Sequence, residues 1–404
     1  MSGSPDTPRT SLSAEAVRAV TARLVDVEPR EPVGRQPVHT CYVPADRVTP
    51  SVLRDWGGQA LAALDAHSPA ELAGVLGLPD GLAEVVHARV RAKLVAEPVE
   101  DLRVDFEDGY GVRDEDEEDA DAVRTASVVR TWLRDGVAPP RFGLRMKSFD
   151  TRALRERGIR TLDVFLTELG EAPPGFVITF PKVTSVEQVE VLGDVLDLFG
   201  LPLRFEIQVE TTRSIVDPSG ALALPRFIAA GRGRVVGLHF GTYDYTAGCG
   251  LGAAHQHLAH GACDFARHVM QVSAAGTGVA LSDGSTNELP VGEHLHEGWR
   301  THYRLVRRSL AHGFYQGWDL HPAQLVTRYA AVHAFYREGA QADARRLRAY
   351  VARAGGAVLD EPATARALSS SFLRALDCGA LDPDEVRGIT GLGVSELRAL
   401  ADRR

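Results

Sequence analysis

The chain has 404 residues, of which 44% are hydrophobic and 25% charged, and a formal net charge of −9. This is ordinary globular composition, long enough for a barrel of about 250 residues with additions. A mildly acidic chain without a basic stripe argues against a nucleic-acid binder, and no apolar run approaches the roughly 20 residues of a membrane span. Cys41, Cys249, Cys263 and Cys378 are scattered, with no CxxC pair, so no disulfide framework is expected. The polar opening MSGSPDTPRTSLS has no signal-peptide core, and a cytoplasmic setting is the expectation.

In chain order, residues 1–12 read as a disordered tail and 14–25 as a short amphipathic helix, together forming an N-terminal segment over 1–36. Eight strand-length runs follow: HTCYVP (39–44), LRVDFEDG (102–109), RFGLRMKS (141–148), GFVITFPK (175–182), LRFEIQVE (203–210), VVGLHFGTYD (235–244), GVALSDGS (278–285) and FYQGWDLHP (314–322). Most are separated by stretches with apolar residues three and four apart, clearest in VEQVEVLGDVLDLFG (186–200). Strands alternating with helices eight times predict an α/β fold, a (β/α)8 TIM barrel over 37–325. Residues 50–97 predict a helical insertion, and 326–404 a helical extension. The extension closes on LDPDEVRGITGLGVSELRALADRR, two short helices around a glycine turn. With no basic face, that pair is expected to pack on the barrel or on a neighbouring subunit rather than read DNA.

The active site of such a barrel lies at the C-terminal ends of its strands. Those ends carry Asp105, Glu107 and Asp108, then Arg145 and Lys147, then Lys182, Glu210, Asp244, Asp283, and Asp319 with His321. Glu210 and Asp244 are the best metal-ligand candidates, because paired carboxylates suit Mg²⁺ or Mn²⁺; each alone also reads as a salt-bridge or capping residue. Glu107 and Asp108 read as acceptors for metal-bound water or as a capping cluster. Arg145 offers a planar donor fork to a carboxylate or an enolate oxygen. Lys182 suits a supporting cation better than a Schiff-base amine, since neighbouring carboxylates keep it protonated. Gly241, Thr242 and Tyr243, in GTYDYTAG, offer backbone amides to a substrate carboxylate. His255, His257 and His260 are read as part of a hydrated loop or lid rather than a metal set, and AGCGLG lacks the dinucleotide-binding spacing.

The ordered set VDFEDG, LRMKS, FPKV, EIQVET, GTYDYT and DLHPAQ resembles the HpcH/HpaI aldolase and citrate lyase beta-subunit family over residues 37–330. The resemblance implies a pyruvate-type TIM barrel with Glu210 and Asp244 on Mg²⁺ or Mn²⁺. It also implies Arg145 on a substrate oxygen, Glu107 and Asp108 supporting the metal waters, Lys182 as a supporting cation, and His321 as a structural or rim residue; Asp105, at the same strand end as Glu107, is read as a further supporting charge. Lys147, the insertion and the long tail depart from the family pattern, and GTYDYT and DFED are also similar to malate synthases. The implied activity is a metal-dependent carbon–carbon lyase acting on a 2-oxo acid or acyl substrate through a metal-stabilised enolate. Two alternatives stay open: a malate-synthase-like condensation or malyl-CoA-type cleavage using a CoA thioester, and a non-catalytic barrel with a binding role. Expected partners are a small-molecule substrate and further copies of the chain in a homo-oligomer, with no nucleic acid and no membrane. Metal-bound water near Glu107 and Asp108, or Asp283, is the candidate base.

Overall fold

The computed structural model describes residues 13–24, 30, 34–79, 81–352 and 361–402. The tail expected over 1–12 lies outside the described residues. The helix expected after it runs over Ala14–Thr21.

Eight strands form one parallel sheet: β1 (His39–Pro44), β2 (Asp101–Asp105), β3 (Arg141–Arg145), β4 (Phe176–Phe180), β5 (Phe205–Val209), β6 (Val235–Phe240), β7 (Ala280–Ser282) and β8 (Gly317–Asp319). Their spatial order is β7-β6-β5-β4-β3-β2-β1-β8. A bridge between Ser282 and Gln316, with the Asp283 N–H donating to the Gln316 carbonyl at 2.8 Å, brings β7 beside β8 and nearly closes the barrel.

Local chemistry sets the helices between the strands. Thr151 and Ser185 accept first-turn N–H groups at the starts of Arg152–Leu169 and Val186–Leu198. Gly170, at φ 83°, ends the former in the left-handed region that favours glycine. The insertion is three helices, Val52–Asp65, Pro69–Leu76 and Ala83–Ala96. Its first and third helices pack on Pro322–Val351, a 30-residue helix that also receives Pro362–Asp377 and Pro383–Thr390. That helix runs unbroken across the boundary expected at 325/326, so the end of the barrel and the start of the extension share one rod. The glycine turn of the extension is Gly391, with helices Pro383–Thr390 and Val394–Ala401 on either side. Among the described residues, no helix is long and apolar enough to cross a membrane.

The barrel interior is polar. Alternation along β2 sends Leu102 and Val104 outward and Arg103 and Asp105 inward. Arg103, fully buried, donates to Glu206 on β5 at 3.1 and 2.8 Å, pairs with Asp101 and reaches the Thr179 hydroxyl at 3.1 Å. His239 Nε2 on β6 lies 3.0 Å from Glu206 Oε2, the oxygen that Arg103 Nη2 also reaches. Such a network is tolerated because each charge is paired; removing one member strands the others in low dielectric.

One glycine lets two of these strands meet. A Cβ on Gly143 of β3 would fall 1.7 Å from the carbonyl oxygen of Val177 on β4, a backbone atom that cannot turn aside. Gly143→Ala is therefore expected to force β3 and β4 apart at a cost of about 3 kcal/mol or more. The check is a thermal melt, and an unchanged Tm would refute this reading.

Candidate active site

The turns after β2, β4, β5 and β6 bring four carboxylates to one ammonium. Lys182 Nζ lies 2.8 Å from Glu107, 2.9 Å from Asp108, 3.4 Å from Asp244 and 4.0 Å from Glu210. Lys182 has φ 51°, rare for a residue with a Cβ, and its main-chain N–H donates to Glu210 Oε1 at 2.8 Å. One residue thus holds Glu210 with its backbone and collects three further carboxylates with its side chain. Among the described residues, no three His, Cys, Asp or Glu side chains converge on a free cation position. The ammonium takes the point that the four carboxylates share.

Glu210 is the deep member of the set and Asp244 the rim member, with side chains 2% and 47% exposed. Gly241 makes room for Glu210: a Cβ there would sit 2.4 Å from the Glu210 Cβ and 2.7 Å from Oε2. Burial pushes the Glu210 carboxyl up from 4.5 to about 8; Lys182 pulls it back, while Glu107 and Asp244 push it further. Glu107 is also held above its usual range by burial, against the pull of Arg145 and Lys182. Asp108 lies below its usual range, because Lys182 outweighs the effect of burial. Burial opposes the charge on Lys182, yet Glu210 and Glu107 raise its pKa well above the ordinary lysine value.

Arg145 is buried at the end of β3 and locked by Asp105. Its Nε and Nη2 donate to the two Asp105 oxygens, both at 2.6 Å, and its guanidinium lies 4.9 Å from the centre of the Tyr42 ring. Asp105 also accepts from the N–H groups of Glu107 and Gly109, each at 2.9 Å, which fixes the DFED turn. The remaining Nη1 is held loosely, 3.5 Å from Gln208 and 3.4 Å from Glu107. Gln208 in turn donates to Glu210, so it links arginine and carboxylate.

These groups border a cavity of about 400 Å³ at the C-terminal mouth of the barrel, lined by Asp105, Asp108, Arg145, Glu210, Gly241, Thr242, Tyr243 and Asp244 among others. A larger groove of about 900 Å³ lies outside the barrel between the insertion and the helix Leu295–Ala311, but no carboxylates converge there as they do at the mouth.

The structure separates the other strand-end charges from this cavity. Asp283 does not face it: Arg267, at 3.1 Å, and Ser309 hold its oxygens in a buried pair behind β7, which removes it as a candidate base. Asp319 is equally buried between His39, His302 and Arg328. Lys147 turns away to Glu118 at 3.0 Å and to the Phe106 carbonyl at 2.8 Å. His321 is the cap of Pro322–Val351, accepting from the Ala323 N–H at 3.2 Å. The Gly241 N–H, expected to face a substrate, is spent on the Val209 carbonyl at 2.9 Å. Tyr243 ties its helix to the β7 loop by accepting from the Asn287 N–H at 2.7 Å.

Sequence reasoning missed Arg47, Gln208 and Trp318, all in the cavity wall. Arg47 is exposed, with no partner among the described residues. It stands three residues past β1, and a rule that looks just beyond each strand end finds it. Gln208 shares its inward parity with Glu206 and Glu210.

Fold and site together define a (β/α)8 barrel with an acidic, arginine-bearing mouth. The chain belongs to the family described as a domain of unknown function, DUF6986, which matches residues 17–404. A search of the curated proteins found no match. Solved structures with a similar course include RipC from Yersinia pestis (18% identity, TM-score 0.44, 76% of this chain and 96% of that one). Malate synthase from Haloferax volcanii is another, at 16% identity and TM-score 0.47, over 93% of this chain and 99% of that one. Likenesses this distant carry nothing about substrate or reaction, which rest on the residues themselves.

The raised Glu210 carboxyl has a consequence for stability. The folded chain keeps a proton up to about pH 8 that an unfolded glutamate sheds near 4.5, so metal-free stability falls as pH rises through that window. Glu210→Gln removes this dependence. In EDTA, the Tm of the variant is expected to gain on wild type between about pH 5 and pH 9. Parallel pH profiles would overturn the assignment.

Proposed function

We propose that the chain is a carbon–carbon lyase of the aldolase type that acts on a 2-oxo acid through an enolate. The observation that carries this reading is the pairing of a buried, under-compensated carboxylate, Glu210, with an oriented arginine, Arg145, in one cavity. The donor chemistry suits a hard divalent ion, which would take the place of the Lys182 ammonium at the point the carboxylates share. All the donors are carboxylate oxygens, and the Lys182 ammonium, 4.0 Å away, only partly offsets the burial that raises the Glu210 carboxyl to about 8. Glu210 and Asp244 would hold Mg²⁺ or Mn²⁺, which supplies Lewis acidity toward a carbonyl oxygen.

The remaining chemistry belongs to side chains. Asp105 fixes two nitrogens of the Arg145 fork, leaving Nη1 to orient a substrate oxygen and stabilise its charge as the carbon–carbon bond breaks. Glu107, held above its usual range by burial and 3.4 Å from Arg145 Nη1, is the group placed to exchange a proton beside the arginine. Lys182 holds Glu107 and Asp108 in place. Arg47 at the rim suits a distal anionic group. That last feature also favours a second reading, cleavage or condensation of a CoA thioester, in which the anion is a phosphate.

The test is a screen of 2-oxo acid plus aldehyde pairs, and of acyl-CoA plus glyoxylate, with Mg²⁺ or Mn²⁺. Turnover is expected in the first arm and is expected to be lost in Asp244→Asn; turnover only with CoA would select the second reading, and none in either arm would sink both. Once a substrate is known, Arg145→Lys is expected to lower kcat on the order of 10²- to 10³-fold, since a point charge lacks the planar fork. A variant that melts early but keeps the wild-type kcat would reduce Arg145 to an ion-pair partner of Asp105.

A further inference from the structure

A second cluster of ligating side chains lies away from the barrel mouth, where the insertion meets the helix Leu295–Ala311. His67 stands between the first two insertion helices, just before Ser68, the cap of Pro69–Leu76. His296 is in the first turn of Leu295–Ala311. Their Nε2 atoms are 2.8 Å apart.

The proton positions on His67 follow from its other nitrogen. His67 Nδ1 is 2.9 Å from the Ala63 carbonyl oxygen, which can only accept, so Nδ1 carries the hydrogen and Nε2 the lone pair. That lone pair points at His296. Trp299 restrains both rings, edge-on to His67 at 4.9 Å and stacked with His296 at 6.1 Å. The backbone of His67 is held as well: its carbonyl lies 3.0 Å from His87 Nε2. Both imidazoles are therefore restrained with their Nε2 atoms side by side, His67 half-buried and His296 exposed to solvent.

We propose that His67 and His296 form a two-imidazole site for a divalent transition ion of the Cu²⁺ or Ni²⁺ class, which clips the insertion to the barrel. Ligand type selects the class: neutral imidazole suits borderline ions, and with only two protein ligands to impose a geometry the general affinity order applies, with Cu²⁺ highest. The 2.8 Å between the nitrogens is that of an N–H···N hydrogen bond, so a small turn of either ring lets both nitrogens face one ion. Without an ion, His296 Nε2–H donates to His67; with one, His296 takes the other tautomer, its hydrogen passing through solvent to Nδ1, and both Nε2 atoms ligate. Among the described residues no third His, Cys, Asp or Glu completes the set, so water fills the other positions. The site is distinct from the carboxylate cavity, which neither histidine lines, and imidazole nitrogen selects a softer ion than carboxylate oxygen.

The test uses the untagged full-length chain with excess MgCl₂, so that hard-ion sites are filled, titrated with NiCl₂ or CuCl₂ by calorimetry and followed by thermal melting. Wild type is expected to bind one ion and to melt higher with it. His67→Asn and His296→Asn are each expected to weaken binding by about tenfold or more and to abolish the melting shift. His257→Asn, in the separate His257–His260 pair, is expected to bind as wild type does. Absence of binding by wild type, unchanged affinity in both single variants, or loss of binding in His257→Asn would each overturn the proposal. Circular dichroism of both variants at a temperature well below the melt confirms that a lost signal comes from a folded chain.

Discussion

One ammonium holds the mouth of this barrel together. Four carboxylates brought to a single point repel one another strongly, and the repulsion grows as water is excluded. Lys182 reduces it by lying within 4.0 Å of all four, while its backbone N–H anchors the deepest. The left-handed φ of 51° at Lys182 is the strain accepted for that double use. Compensation is still incomplete: Glu210 keeps its proton to about pH 8 even with the ammonium nearby. A buried carboxyl short of compensating charge stays neutral until its proton is given up or further positive charge arrives.

A second paired charge fixes the arginine of the mouth. Arg145 spends two of its nitrogens on Asp105, and Asp105 spends its spare capacity on the turn that carries Glu107. The arginine is therefore both a brace for the loop and an oriented donor. Below it, the Arg103–Glu206–His239 network fills the barrel with ion-paired groups, His239 Nδ1 left without a partner among the described residues, where many barrels place aliphatic layers. This floor is rigid because any shift would strand a buried charge, and the mouth inherits that rigidity through β2 and β5.

Much of this was legible in the sequence. Eight apolar runs with polar ends give the barrel, since strand periodicity and crossover length are local properties. The ends of those runs give Glu107, Asp108, Arg145, Lys182, Glu210 and Asp244, because a parallel barrel opens every strand toward one face. The insertion and the closing pair of helices were visible for the same reason: caps, glycines and 3.6-residue spacing act within a few residues of one another.

What the sequence could not decide is which charges face the cavity and which face a helix. Asp283 and Asp319 occupy strand ends as Asp244 and Glu210 do, yet Arg267 and Arg328, on helices outside the barrel, claim them. A strand-end position fixes the height of a side chain along the barrel axis. Whether it turns inward or outward depends on parity, on the turn that follows and on which partner arrives from far along the chain. The same holds for Lys147, taken by Glu118, and for His67 and His296, which meet across 229 residues. The sequence by itself determined the barrel and the inventory of reactive groups; tertiary structure decided their pairing, because pairing is a contest between partners whose distances exist only once the chain is folded.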